Sequence, residues 1–144
     1  MTSRLIYFCL IYLLLLLIPL ETSDAKNLYD ERLALYKKME AITQLPWYYL
    51  AALDQYERNI QKDRTDEIIA INFPDSLWYG FGNIKKDKDE KTISLFNGIG
   101  RDGNGDGFAS LDDPEDVLYT AALSLTKNGV LHEDIKISLW QLYK

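Results

Sequence analysis

Residues 102–113 run Asp-Gly-Asn-Gly-Asp-Gly-Phe-Ala-Ser-Leu-Asp-Asp, and this stretch sets the expected architecture. Oxygen-bearing side chains alternate at Asp102, Asn104 and Asp106. A hard dication needs several oxygens around one point, which alternate side chains of a tight loop supply by turning inward. Gly107 permits the sharp turn, Phe108 would offer its carbonyl, Ser110 could hold a water, and Asp113 closes the set at the twelfth position. Ca2+ in a structural role is therefore the expected cofactor, with Asp102, Asn104, Asp106, Phe108 and Asp113 as its ligands. The competing reading is a Gly-Asp turn without an ion. Mutual repulsion of acids with no base nearby argues against it.

Downstream, Asp113 is placed to cap a helix, with Pro114 at its first position and Glu115 and Asp116 in its first turn, near the positive end of the dipole. Val117, Leu118, Ala121, Ala122 and Leu125 give its buried face, and Gly129 fits its stop. A last helix is expected from about Glu133, with Ile135, Leu139, Leu142 and Tyr143 on its apolar side. His132, just before it, reads as a surface or capping residue. Upstream, Phe96-Asn-Gly-Ile-Gly100 is a poor helix. The loop is thus EF-hand-like in spacing but single and without a leading helix, so a static clip is expected rather than a sensor.

Further back, Leu28, Leu35, Tyr36, Met39 and Ile42 recur at helical spacing over residues 28–44. Pro46 ends that helix and opens a second, to about Ile60. On it Trp47, Leu50, Leu53 and Glu57 share one face, so a carboxyl projects from an apolar stripe. Asp54 reads as a solvated neighbour. Residues 67–73 are apolar and of ambiguous type. Asn72 to Gly82 reads as an ordered aromatic loop, Ile84 to Thr92 as a charged, mobile stretch, and Ile93 to Gly100 as short and glycine-punctuated. The expected class is mainly α.

The N-terminus carries a different signal. Leu5 to Leu20 is an unbroken apolar and aromatic run after Arg4, and Ser23-Asp24-Ala25 presents small residues for cleavage after Ala25. Residues 1–25 are expected to be a signal peptide, or else an N-terminal anchor, leaving 26–144 as one domain. The net charge is −6 and there is one cysteine, Cys9, inside the apolar run. Losing Arg4, Glu21 and Asp24 removes one positive and two negative charges, moving −6 to −5. Nucleic acid is not an expected partner of such an acidic chain. Lys85-Lys86 with Lys88 is interleaved with Asp87, Asp89 and Glu90, as in a solvated loop. The domain has no thiol, so packing, with an ion as the other candidate aid, must hold it.

Asp102 to Ala109, Asp113-Pro-Glu-Asp-Val-Leu-Tyr-Thr-Ala-Ala122 and Asn128-Gly129 resemble the calcium-loop region of membrane-bound lytic transglycosylases of the MltB kind. Pro46-Trp-Tyr-Tyr-Leu-Ala-Ala-Leu-Asp-Gln-Tyr-Glu57 resembles the helix that ends in the catalytic glutamate of lysozyme-like transglycosylases. Over nearly the whole of 26–144, the nearest resemblance is to the N-terminal domain of LytH-type cell-wall endopeptidases of spore-forming bacteria. The resemblance implies a lysozyme-like fold acting on peptidoglycan, with Glu57 as the sole acid/base. It would protonate the glycosidic oxygen and then help the muramoyl C6 hydroxyl close a 1,6-anhydro ring. A carboxyl in an apolar stripe favours its neutral, proton-donating form. Trp47, Tyr48, Trp78 and Tyr79 could offer flat faces to sugar rings; core packing is the commoner use of such aromatics. Glu57 has an ion-pair alternative with Arg58 or Arg64. LytH-type proteins continue into a zinc peptidase domain. His132 is the lone histidine here, so the resemblance points to the accessory domain.

Three functions follow as expectations. The first is a lytic transglycosylase-like enzyme cutting glycan strands. The second is a non-catalytic, calcium-stabilised wall-binding module that positions another cell-wall hydrolase. The third is a dockerin-like docking module, which would need a second loop. Either of the first two places the protein in the secreted or cell-wall space, or anchored at the membrane and facing outward.

Overall fold

The computed structural model describes residues 23–61 and 67–127. The apolar run before Ser23, Arg64, Asn128-Gly129, His132 and the last helix lie outside the described residues.

The described part is mainly helical, with no strand and one isolated antiparallel bridge, between Asp89 and Phe108. Helix α1 spans Ser23–Thr43 and α2 spans Trp47–Ile60. Gln44, at φ 62°, turns the chain out of α1, and the Thr43 hydroxyl donates to the Met39 carbonyl at 2.7 Å. Pro46 then sits at the α2 N-cap, and the Glu40 carboxylate of α1 accepts the Trp47 N–H at 3.3 Å. A negative group at the positive end of a helix dipole is favourable, so the two-helix corner is tied electrostatically as well as sterically.

Helix α3 (Asp75–Trp78) and helix α4 (Glu90–Leu95) are single short turns in stretches expected to be loops. The charged segment carries a capped helix start and a tie to the acidic loop. Asp89 caps α4 through the N–H groups of Lys91 (2.9 Å) and Thr92 (3.0 Å), and the Ala109 N–H binds the Lys88 carbonyl at 2.8 Å. Helix α5 (Pro114–Lys127) begins as expected, with the Asp113 carboxylate accepting the Glu115 N–H at 2.8 Å.

α1 packs against both α2 and α5. Tyr36 and Met39 of α1, Leu50 and Leu53 of α2, and Val117, Leu118, Ala121, Ala122 and Leu125 of α5 fill the core. Ile42, expected on the apolar face of α1, is half exposed instead. The ambiguous 67–73 segment is extended and crosses this core without a strand partner, burying Ile69, Ala70, Ile71 and Phe73. Phe73 meets Trp78 at a ring separation of 5.5 Å. A Cβ at Gly100 would come within 2.8 Å of the Trp78 indole, so this glycine is required by the closeness of the ring.

Candidate functional site

Glu57 is buried, at 3 % exposure, near the end of α2. The Gln61 side-chain amide donates to its carboxylate one helical turn on. The apolar stripe of α2 therefore carries its acid inward, as its spacing predicts.

The aromatic side chains expected around Glu57 divide into two groups. Trp78 has no exposed surface and Tyr79 is 5 % exposed. The Trp78 indole N–H is spent on the Ala109 carbonyl at 3.2 Å. These two rings are core, and as placed they have no face to offer a sugar. Gly98 packs against the Trp78–Tyr79 backbone and Gly100 against the Trp78 indole, which closes that ring in. Trp47 is partly buried against the core, while Tyr48 is exposed and packs on Tyr49 at 4.7 Å. One hollow of about 280 Å³ lies between the 67–71 segment and the start of α5, and another of about 440 Å³ lies beside the end of α5. Neither of these two is lined by Glu57 or by the four nominated aromatics.

Asp54 departs from its expected role. It is 2 % exposed and accepts from the Tyr36 hydroxyl (2.7 Å), the Ala70 N–H (2.5 Å) and Arg58 (2.9 Å). Arg58 and Arg32 extend the cluster to the Glu67 and Ile68 carbonyls, with Arg32 at 2.8 Å from Ile68. This polar clip replaces the missing strand partners of residues 67–70. An i,i+4 Asp–Arg pair is ordinarily a surface feature, and the distant partners Tyr36 and Arg32 that bury it leave no local sequence signal.

Burial, followed by the hydrogen bond to Asp54, pushes the Tyr36 phenol well above its ordinary value. A folded value above the unfolded one contributes stability below about pH 10. That contribution is lost as pH rises through the folded value. Tyr36→Phe should therefore cost about 1.5–3 kcal/mol at neutral pH, the range for a hydrogen bond to a charged group. The gap from wild type, read by urea unfolding at a series of pH values, should narrow only on the far alkaline side. A gap that narrows already below pH 10 would contradict this linkage.

The 102–113 loop winds around its own acids. Asp102 accepts the N–H groups of Gly105 (2.6 Å), Asp106 (3.2 Å) and Gly107 (2.8 Å). Gly107, at φ 93°, holds a conformation that side-chain-bearing residues avoid. The Asn104 amide nitrogen lies 2.7 Å from Asp113 and 3.4 Å from Asp106, so these two carboxylates converge on it. Phe108 gives its N–H to Asp106 at 2.8 Å. Behind the loop, the fully buried Asp116 gathers the N–H groups of Gly103 (2.8 Å), Asn104 (3.4 Å) and Ser110 (2.7 Å). Burial pushes the Asp116 carboxyl up, while the Ser110 and Gly103 N–H groups pull it down. Its clamp role has no signature in the spacing, because its partners lie 6 to 13 residues earlier.

The donor chemistry of the loop fits a hard cation, since every candidate ligand is an oxygen and carboxylates predominate. Among the described residues, however, no three acidic, histidine or cysteine side chains already form a metal cage. Asn104 stands between the acids.

The chain resembles a curated endopeptidase. It is 45% identical, over 143 aligned residues, to the L-Ala--D-Glu endopeptidase of Bacillus subtilis (strain 168). The match takes in 92% of this chain and 44% of that protein, so the chain spans less than half the relative's length. No family model and no solved structure matches. The likeness to an endopeptidase expected from the sequence is thus found again, whereas the transglycosylase likeness has no counterpart in the relative's name.

Proposed function

We propose that this domain is a non-catalytic, calcium-stabilised module that holds a peptide-cleaving hydrolase on peptidoglycan, outside the cytoplasm. One observation carries the reading: the relative is a peptidase, while the rings that would form a glycan-cleaving groove here, Trp78 and Tyr79, are buried. An L-alanyl-D-glutamate bond is characteristic of wall peptide stems, so the relative's name supports a wall setting. Glu57 then serves packing and hydrogen bonding at the end of α2. Ca2+ would be held by Asp102, Asn104, Asp106, Asp113 and the Phe108 carbonyl. It would neutralise converging acids and fasten the loop to the start of α5.

The purified chain should pellet with insoluble peptidoglycan and release no 1,6-anhydromuropeptides. Glu57→Gln should pellet equally well. Release of those products by wild type, abolished in Glu57→Gln, would instead establish the transglycosylase reading and remove this one.

The ion has its own test. At one hundred times its dissociation constant, Ca2+ should stabilise the fold by about 2.7 kcal/mol. The resulting rise in melting temperature should disappear with EGTA and in Asp102→Ala. A melting curve indifferent to both Ca2+ and chelator would remove the metal from the proposal.

A further inference from the structure

We propose that the wall-binding surface of this module is the apolar and cationic face formed by Phe81, Ile84, Lys85, Lys91, Leu95 and Phe96, an assignment that rests on the wall-module reading above. Phe81 and Ile84 are each 93 % exposed and Leu95 is 76 % exposed. Large apolar side chains held this far into water, on two segments that meet where the Phe96 ring lies against Gly82, mark a contact surface.

Their exposure is built in. Asn83, 7 % exposed, donates its amide to the Asp87 carbonyl and accepts the Asp87 N–H, both at 2.9 Å. Its own N–H reaches the Gly80 carbonyl at 3.2 Å. The turn is pinned from inside through Asn83, and the residues on either side of it point outward. The Phe96 ring lies against Gly82, which joins the end of α4 to this turn. Lys91 and Leu95 stand one helical turn apart on α4 and share its outer side.

Charge selects the occupant. The acids of this region are engaged: Asp75 with Lys86, Asp87 with the Asp89 N–H, Asp89 with the α4 cap, and Glu90 with Arg101. Lys88 is turned toward Ser110 and Asp112. Lys85 and Lys91 remain exposed cations without a carboxylate partner among the described residues. In a chain of net charge −6, these two lysines put positive charge beside the exposed apolar side chains, where the carboxylate of a ligand can pair with it. A glycan strand with peptide stems presents both complements. Its sugar rings carry apolar C–H faces for Phe81 and Phe96, and its D-glutamate residues carry carboxylates for the lysines.

The experiment is a binding isotherm of the full chain on purified insoluble peptidoglycan. Phe81→Ser with Ile84→Ser should weaken binding by about tenfold or more, with an unchanged melting temperature because both side chains are already in water. Lys85→Glu with Lys91→Glu should weaken it less and flatten its dependence on salt. Tyr29→Ser, at an exposed ring of α1, should leave it unchanged. Wild-type binding that survives the Phe81 and Ile84 changes overturns this surface and leaves the module reading standing. No wild-type binding at all overturns both. Loop substitutions that spare the wall but reduce binding to phosphatidylglycerol vesicles, or abolish a dimer in sedimentation, would assign the face to a membrane or to a second copy and overturn the proposal.

Discussion

Asp54→Ala should lower stability by about 3–5 kcal/mol, although no sequence pattern marks Asp54 as structural. The carboxylate is enclosed, with 3 % of its side chain exposed, and Arg58 beside it is 9 % exposed. Truncation takes the Asp54 carboxylate from Arg58 and removes the acceptor of the Tyr36 hydroxyl and the Ala70 N–H. Buried groups stripped of partners bear their full desolvation cost, which exceeds what the intact pair contributed net. Urea unfolding should show the loss as a lower midpoint with a similar slope, and the melting temperature should fall by about 10 °C or more. The double variant Asp54→Ala, Arg58→Met should recover part of the loss, because it also removes the guanidinium whose buried carboxylate partner is gone. A double variant weaker than Asp54→Ala would mean that Arg58 acts chiefly through the Glu67 and Ile68 carbonyls.

The contrast between Asp54 and Glu57 shows which parts of this protein are legible in one dimension. Helix periodicity reports what a residue shares a face with, so the inward direction of Glu57 and the five buried apolar positions of α5 could be read directly. Helix starts were equally accessible, since Pro46, Asp113 and Pro114 act on their immediate neighbours. The roles of Asp54 and Asp116 depend on partners 6 to 18 residues away, brought together only by packing. No local pattern encodes such a meeting. The 67–73 segment resisted assignment for the same reason. It is apolar enough to be buried, but its polar groups at residues 67, 68 and 70 are met by α1 and α2 side chains rather than by a neighbouring strand.

The aromatic residues near the site give the complementary lesson. Trp78 and Phe81 lie three residues apart in one aromatic stretch, yet one is fully buried and the other 93 % exposed. Composition treats them alike. What separates them is backbone: Gly100 admits the Trp78 ring, and the pinned Asn83 turn keeps Phe81 outside. The sugar-facing role expected of Trp78 and Tyr79 is thus closed to these two buried rings.

Trp78→Ala should be the other severe change, costing about 3–5 kcal/mol. The range depends on how far a site can collapse, and this one collapses poorly. The indole is lined on one side by backbone at Gly100, which has no side chain to move into the void, and on another by the Phe73 ring. Loss of the indole N–H also leaves the Ala109 carbonyl without its donor at the point where the acidic loop meets the segment around Lys88. Damage should consequently spread in both directions from the cavity. Trp78→Phe keeps part of the ring volume and should recover a substantial share of the loss, but not the contribution of the N–H bond. Amide hydrogen exchange separates these effects. In Trp78→Phe, protection at the Ala109 N–H should fall more than protection inside α1, which lies away from that carbonyl. Equal loss at both positions would mean that Trp78 stabilises the fold only through volume, and that the loop is not tied to the core through Ala109.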